Sequence, residues 1–367
     1  MKVIFSANTS WYLYNFRKNT IKRFIELGHE VHIIAPDDAY TNKLIDLGVQ
    51  KHHLFLHSNS LNPLQDMVTI LHLLYLYITI KPDVVYNFTP KINIYGAFVS
   101  YLLPSLRVVN NIAGLGTAFV DDGLKKKILH FLYKFSQKRA DIVFFQNEED
   151  MLLFTKSNLV KKEKSRRILG SGVNLEAFNT TRMTKEKDIK FILVARLIEQ
   201  KGVKLYAEAA RIIREKYPTA EFALLGPILD SNPSAIHRDQ ISKWVDAGLL
   251  KYLGHSDNVA SVLAEYDCVV LPSFYREGVP KSLLEAAACG KIVITTNNIG
   301  CKDAVIDGTT GFLCEPKSLE ALVTALEKVI QMNPESFIKM KKSARCLALN
   351  KFDENIIIDE YLATIKN

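Results

Sequence analysis

Short β-branched runs alternate with longer helical patterns along the chain, the arrangement expected of parallel βαβ units. In the first half the strand candidates are residues 3–6, 30–35, 51–56, 83–87, 107–110 and 142–146. Between them, residues 18–27 carry a helical pattern closed by Gly28, and residues 64–80 carry another that ends before Lys81-Pro82. The pattern breaks at LGSGVN, residues 169–174, where two glycines precede a polar stretch over 179–188. A second series then begins. Its strand candidates are 189–195, 220–225, 251–253, 268–271, 292–296 and 311–314, with helices over 204–216, 258–266, 281–289 and 318–331. This predicts an α/β protein of two doubly wound, Rossmann-like lobes, residues 1–172 and 173–350, with a C-terminal helix in 351–367 packing back on the N-terminal lobe. Open parallel sheets bind ligands beyond the carboxyl ends of their strands, so two such lobes in tandem predict a central cleft.

Length and composition agree with two lobes. The 367 residues exceed one comfortable core, and 48% hydrophobic against 23% charged residues with no low-complexity tract predicts a folded chain. The longest apolar stretch, 67–80, is interrupted by His72 and threonines and falls short of the ~20 residues of a spanning helix. The opening MKVIFSA reads as a buried strand rather than a signal peptide, which predicts a cytoplasmic protein. The five cysteines are dispersed, without a C-x-x-C pair, and read as reduced core residues. Charge changes the picture more. Residues 1–170 hold 22 Lys and Arg against 14 Asp and Glu, whereas 171–367 hold 25 of each, so the whole net charge of +8 lies in the first half. That half is expected to face something anionic, nucleic acid or a lipid surface. The basic amphipathic stretch from Lys125 to Arg139 and the cluster Trp11-Tyr12-Leu13-Tyr14 both lie there.

The densest chemistry lies in CVVLPSFYREGVPKSLLEAAACG, residues 268–290. An apolar strand ends at Leu271-Pro272, a loop carries Arg276-Glu277-Gly278-Val279, and Pro280 is expected at the first position of a helix. A helix N-terminus at the end of a parallel strand offers free N–H groups and a positive dipole end, which suits an anion. Glu277 precedes that helix and Glu285 lies about one turn inside it. One carboxylate on a sugar and the other on a ribose fits this spacing. Directly after the first strand of the second lobe, VARLIEQKG supplies Arg196 and Lys201. Two fixed cations are what a departing nucleoside diphosphate needs as negative charge develops on it.

Residues 189–316 resemble the donor-binding lobe of family 4 glycosyltransferases of the GT-B fold, on Glu277, seven residues and Glu285, and on Arg196, Lys201 and Gly202 of the Arg-x-x-x-x-Lys-Gly element. The likeness extends over essentially the whole chain. Asn15-Phe16-Arg17, NNIAGLG at 110–116 and SLNP at 60–63 look like bacterial transferases that extend polyprenyl-diphosphate-linked oligosaccharides, including the N-acetylhexosaminyl transferases of glycan and O-antigen assembly. The resemblance implies a retaining enzyme in which Arg196 and Lys201 hold the diphosphate, Glu277 the transferring sugar and Glu285 the ribose, with backbone N–H groups near Lys281 and Ser282 meeting phosphate. It implies a UDP-sugar donor, no further cofactor, and a polyprenyl-diphosphate-linked saccharide as acceptor at the inner face of the cytoplasmic membrane.

Two positions depart from the family pattern. The N-lobe loop that often carries a histidine reads Ile112-Ala113-Gly114-Leu115-Gly116, where Gly114 and Gly116 would let backbone N–H groups approach the diphosphate instead. Pro280 replaces a common glycine and removes one N–H donor. No D-x-D occurs, and the nine histidines show no ligand spacing, so no metal is expected. SANTSW after the first strand lacks the dinucleotide fingerprint. A UDP-N-acetylglucosamine 2-epimerase of the same fold is a second reading, but the N-terminal loops supply few acid–base groups for it. Nucleic-acid binding is a third, and no base-reading or stacking motif appears.

Overall fold

The computed structural model describes all residues except 58–61, 116–123, 180–182, 230–231 and 366–367, and the side chains of 124–126. The chain divides into two compact units, Met1–Ser171 with Asn355–Asn367, and Gly172–Glu354. In unit 1 the strands are β1 (Lys2–Ser6), β2 (Glu30–Ala35), β3 (Gln50–His53), β4 (Val84–Phe88), β5 (Arg107–Ile112), β6 (Ile142–Phe145) and β7 (Ser165–Arg167), in the order β3-β2-β1-β4-β5-β6-β7. In unit 2 they are β8 (Lys190–Val194), β9 (Glu221–Leu225), β10 (Lys251–Tyr252), β11 (Cys268–Leu271), β12 (Ile292–Thr296) and β13 (Gly311–Cys314), in the order β10-β9-β8-β11-β12-β13. All pairings between neighbouring strands are parallel.

Parallel strands covered on both faces need apolar residues at every position, and the period of two then divides each strand between two cores. In unit 1, Ile4, Ile34, Val85, Val108 and Val143 join one core. Their neighbours Val3, Phe5, Ile33, Val84, Tyr86, Val109 and Phe144 join the other. The second core is closed by helix Glu354–Ala363, whose Tyr361 ring lies 5.6 Å from Tyr86 and 5.0 Å from Phe144. Arg17, fully buried, stacks 4.6 Å from the Phe88 ring centre and 5.2 Å from that of Tyr361. Gly172 has φ +70°, and a Cβ there would stand 2.5 Å from Glu354 Cα, so the two connecting segments cross only because this residue is glycine.

Several elements differ from the pattern-based expectation. The first helix starts at Ser10, not residue 18, because the Thr9 side chain accepts the Tyr12 N–H at 3.1 Å and caps it. The cluster Trp11–Tyr14 is therefore its first turn, and a charged residue at a buried position, Arg17, hides the period. Helix Pro90–Val99 escapes an amphipathic reading since residues 92–97 are all buried. Strand β7 is a polar edge strand of sequence SRR. Helix Leu124–Arg139 forms over the basic stretch. The side chains of Lys125 and Lys126, and Ser60 and Leu61 of the SLNP segment, lie outside the described residues.

Candidate active site

β11 ends in residues 272–280, a loop fastened on two sides. Thr295 Oγ1 donates to the Leu271 carbonyl at 2.7 Å, Thr296 Oγ1 donates to that of Ser273, and Asn298 Nδ2 donates to that of Tyr275 at 2.7 Å. From the other side the Phe274 N–H donates to the Gln200 carbonyl at 2.9 Å. Two glycines permit this approach. A Cβ on Gly300, φ +79°, would stand 1.6 Å from the Gly278 carbonyl oxygen, and one on Gly202, φ +75°, would stand 2.2 Å from that of Pro272. No side chain fits at either position without moving the backbone.

The fastening brings Lys201 to Glu277, 76 positions away in sequence. The Lys201 ammonium donates to Glu277 Oε1, and the two side chains are only 10% and 11% exposed. Ser273 Oγ lies 3.0 Å from the same carboxylate oxygen, and the Tyr275 ring centre is 5.9 Å from Lys201 Nζ. Burial raises the Tyr275 phenol, while the positive charge of Arg196 opposes that rise. Arg196 itself is exposed, so the group holds one sheltered and one solvated cation.

Helix Lys281–Ala288 follows. Pro280 is its cap, with ψ 120°, and not its first residue as the sequence suggested. The Pro280 carbonyl accepts the Leu283 N–H at 3.0 Å, which turns the first-turn N–H groups of Lys281 and Ser282 outward along the helix axis. Both residues are half-buried, whereas residues 283–288 are buried. Glu285 is therefore a carboxylate in an apolar helix body. Burial pushes it up to about 7, with Lys281 Nζ, 3.8 Å away, pulling in the opposite direction.

The structure thus gathers Arg196, Lys201, Glu277, Lys281, Ser282 and Glu285 in unit 2 around one strand–loop–helix junction. Gly114 lies in unit 1, just past the carboxyl end of β5, with φ +99°. Gly116 lies outside the described residues. Sequence reasoning missed Ser273 and Tyr275, whose contacts with Glu277 and Lys201 depend on the loop's path. It also missed a buried amide network at the ends of β4 and β5. There Asn87 Nδ2 donates to Asn110 Oδ1 at 2.9 Å, and Asn110 Nδ2 donates to Gln137 Oε1 at 2.8 Å. Nearby Thr89 takes φ +73°, unusual for a β-branched residue. Among the described residues, no three His, Cys, Asp or Glu side chains group as metal ligands.

Comparison with known proteins places this junction in a family. Residues 178–346 match the model for glycosyl transferases group 1, and residues 2–147 match the glycosyl transferase 4-like model. The chain is 29% identical to N,N'-diacetylbacillosaminyl-diphospho-undecaprenol alpha-1,3-N-acetylgalactosaminyltransferase of Campylobacter jejuni, over 99% of this chain and 97% of the relative. It is 24% identical to UDP-Gal:alpha-D-GlcNAc-diphosphoundecaprenol alpha-1,3-galactosyltransferase of Escherichia coli, over 88% and 85%. Among solved structures, Anabaena HepE in complex with UDP and glucose superposes with a TM-score of 0.82 at 17% identity, covering 100% of this chain and 99% of that one. The chain belongs to the family 4 glycosyltransferases of the GT-B fold.

Proposed function

We propose that this glycosyltransferase is a retaining, metal-independent enzyme. It moves a hexose or N-acetylhexosamine from a UDP-sugar to a polyprenyl-diphosphate-linked saccharide in bacterial surface-glycan assembly, at the anionic inner face of the cytoplasmic membrane. The observation that carries this reading is the sheltered Lys201–Glu277 pair beside the mouth of helix Lys281–Ala288, with Glu285 buried one turn further. In this reading Lys201 and Arg196 take the diphosphate, the first-turn N–H groups of Lys281 and Ser282 meet its oxygens, and Glu285 accepts from the ribose hydroxyls. Glu277 holds Lys201 at the diphosphate and accepts from the sugar hydroxyls with its other oxygen. The sugar–phosphate bond breaks as the acceptor oxygen bonds the same face of the anomeric carbon, and the acceptor proton passes to the departing phosphate oxygen. Cationic side chains and helix N–H groups supply the charge stabilisation a metal would otherwise provide, so no cofactor enters.

Labelled UDP-hexoses and UDP-N-acetylhexosamines, incubated with and without a polyprenyl-diphosphate saccharide, test this reading. Acceptor-dependent transfer with the donor's anomeric configuration retained, undiminished by excess EDTA, is the expected result. Inverted product would remove the retaining assignment, and magnesium-reversible loss in EDTA the metal-independent one. Dependence on another nucleotide would move the donor assignment.

A further inference from the structure

The outer face of helix Pro63–Ile80 is apolar along its whole length. Leu64, Met67, Val68, Leu71, Tyr75 and Ile78 are 68%, 52%, 51%, 57%, 64% and 52% exposed. Their spacing of three, one, three, four and three places them on one side of the helix. No ionised residue interrupts that side. The helix's one acidic residue, Asp66, is turned to Lys91 Nζ at 2.7 Å, and exposed Thr79 satisfies its hydroxyl on the Tyr75 carbonyl at 2.8 Å. Phe55, 59% exposed, extends the surface beside His72, their ring centres 4.9 Å apart. An apolar stripe this continuous is larger than soluble surfaces ordinarily leave to water.

The neighbouring elements say what covers it. Helix Pro63–Ile80 packs on the buried helix Pro90–Val99, which packs on helix Leu124–Arg139. The latter presents exposed Ile128, Phe131 and Phe135 among exposed Lys127, Lys134 and Lys138. The ring of Tyr101, 41% exposed, lies tilted 5.2 Å from that of Phe135, and Leu102 beside it is 68% exposed. Apolar side chains flanked by lysines match an anionic bilayer interface, with acyl chains below and phosphates around. A second copy of this chain would bring two basic helices together and is disfavoured by charge. By length and composition the helix could cross a membrane. Its inner face forbids that, because Leu73, Leu76, Tyr77 and Ile80 are built into the core of unit 1.

We propose that helix Pro63–Ile80 lies in the membrane interface with its outer stripe inserted among the acyl chains, a hydrophobic anchor beside the basic helix. The inference deepens the membrane association proposed above and rests on it. It adds a component that salt does not screen, since the Debye length shrinks to about 3 Å at about 1 M salt while apolar burial persists.

Co-sedimentation with phosphatidylglycerol-containing vesicles, at low and at about 1 M salt, distinguishes the two components. Part of the wild-type protein should stay bound at high salt. Met67→Gln, Leu71→Gln, Tyr75→Gln and Ile78→Gln together should lower the partition coefficient by roughly a hundredfold or more and make the residual binding wholly salt-releasable, with UDP binding and circular dichroism unchanged. In a separate variant, Leu71→Trp, emission should shift to the blue on vesicle addition. Complete release of the wild type at high salt, unchanged emission on bound vesicles, or a lipid-free dimer dispersed by the same substitutions would each overturn the anchor. The dimer would assign the face to a second copy. Failure of the wild type to sediment at any salt would instead remove the association reading itself.

Discussion

Two apolar helices, one in each unit, use the same kind of residue in opposite ways. Helix Leu319–Gln331 of unit 2 buries Leu322, Ala325, Leu326 and Val329 and turns Glu320, Glu327 and Lys328 away from that core. Helix Pro63–Ile80 of unit 1 buries Leu73, Leu76, Tyr77 and Ile80 yet leaves six large apolar side chains in water. The units differ likewise in charge. Unit 2 is nearly balanced and shelters charges in pairs, Lys201 with Glu277 and Lys341 with Asp267 at 3.4 Å. Unit 1 carries the basic excess on its outside. Apolarity toward a core maintains a fold, and apolarity toward solvent asks for another phase. A polar exchange in each helix separates the two. Leu326→Gln strands an amide in a fully buried site and should cost about 4 kcal/mol, read as a lower denaturation midpoint.

The paired charges of unit 2 break next. Lys201→Ala removes a preorganised cation and should lower kcat/KM by ~2–4 kcal/mol of transition-state stabilisation. It also leaves the sheltered Glu277 carboxylate without the Lys201 charge beside it, so stability should fall as well. Adding Glu277→Gln should recover much of the stability and none of the turnover. Near-normal turnover in the single variant would remove Lys201 from the diphosphate.

How much of this could be read from the chain follows from where each contact is made. The junction of β11 with helix Lys281–Ala288 is continuous in sequence, so Glu277, Lys281, Ser282 and Glu285 were legible as neighbours at one junction. Lys201 was legible as a cation near it, but its pairing with Glu277 was not. That contact needs Gly300 and Gly202 to let backbone through, and no local pattern encodes it. Pro280 was misplaced by one position because a proline fits both the cap and the first turn, and only its ψ decides. The alternation located the main strands of both sheets along the chain but not their order within the sheets, and it missed helix Pro90–Val99, where burial on all sides erases the period. The stripe on helix Pro63–Ile80 was hidden for the converse reason. An apolar helix does not declare which side meets the core.

A smaller effect with a sign that depends on pH is expected at Glu285. Its folded-state carboxyl is raised to about 7 from an ordinary 4.5, so the native state binds this proton more tightly than the unfolded chain. The contribution is most favourable below 4.5 and is lost as pH climbs to about 7, above which the native state bears a buried carboxylate. Glu285→Gln should therefore raise stability at pH near 8 by on the order of 2 kcal/mol, and little at low pH. Donor affinity should move the other way, falling by ~1–3 kcal/mol as the charged acceptor is lost. In the wild type, UDP should bind more tightly as pH rises through about 7, because ribose hydroxyls donate to the ionised form. Thermal melts and calorimetric titration across that range read both. A variant that neither gains stability nor loses UDP would place the ribose elsewhere.

The smallest expected effect is the counterpart of the first. Leu71→Gln places the same amide on helix Pro63–Ile80, where the side chain is already 57% exposed. Water solvates the new group in the native and unfolded states alike, and glutamine is nearly as good a helix former as leucine. No cavity opens and no donor is buried, so the change in stability should stay within about 0.5 kcal/mol. Chemical denaturation measures it directly beside Leu326→Gln. A loss of several kcal/mol would mean that Leu71 is covered by protein in solution, and the contrast between the two helices would collapse. A null effect on folding together with weaker vesicle binding would locate the role of Leu71 outside the fold, in the phase the helix touches.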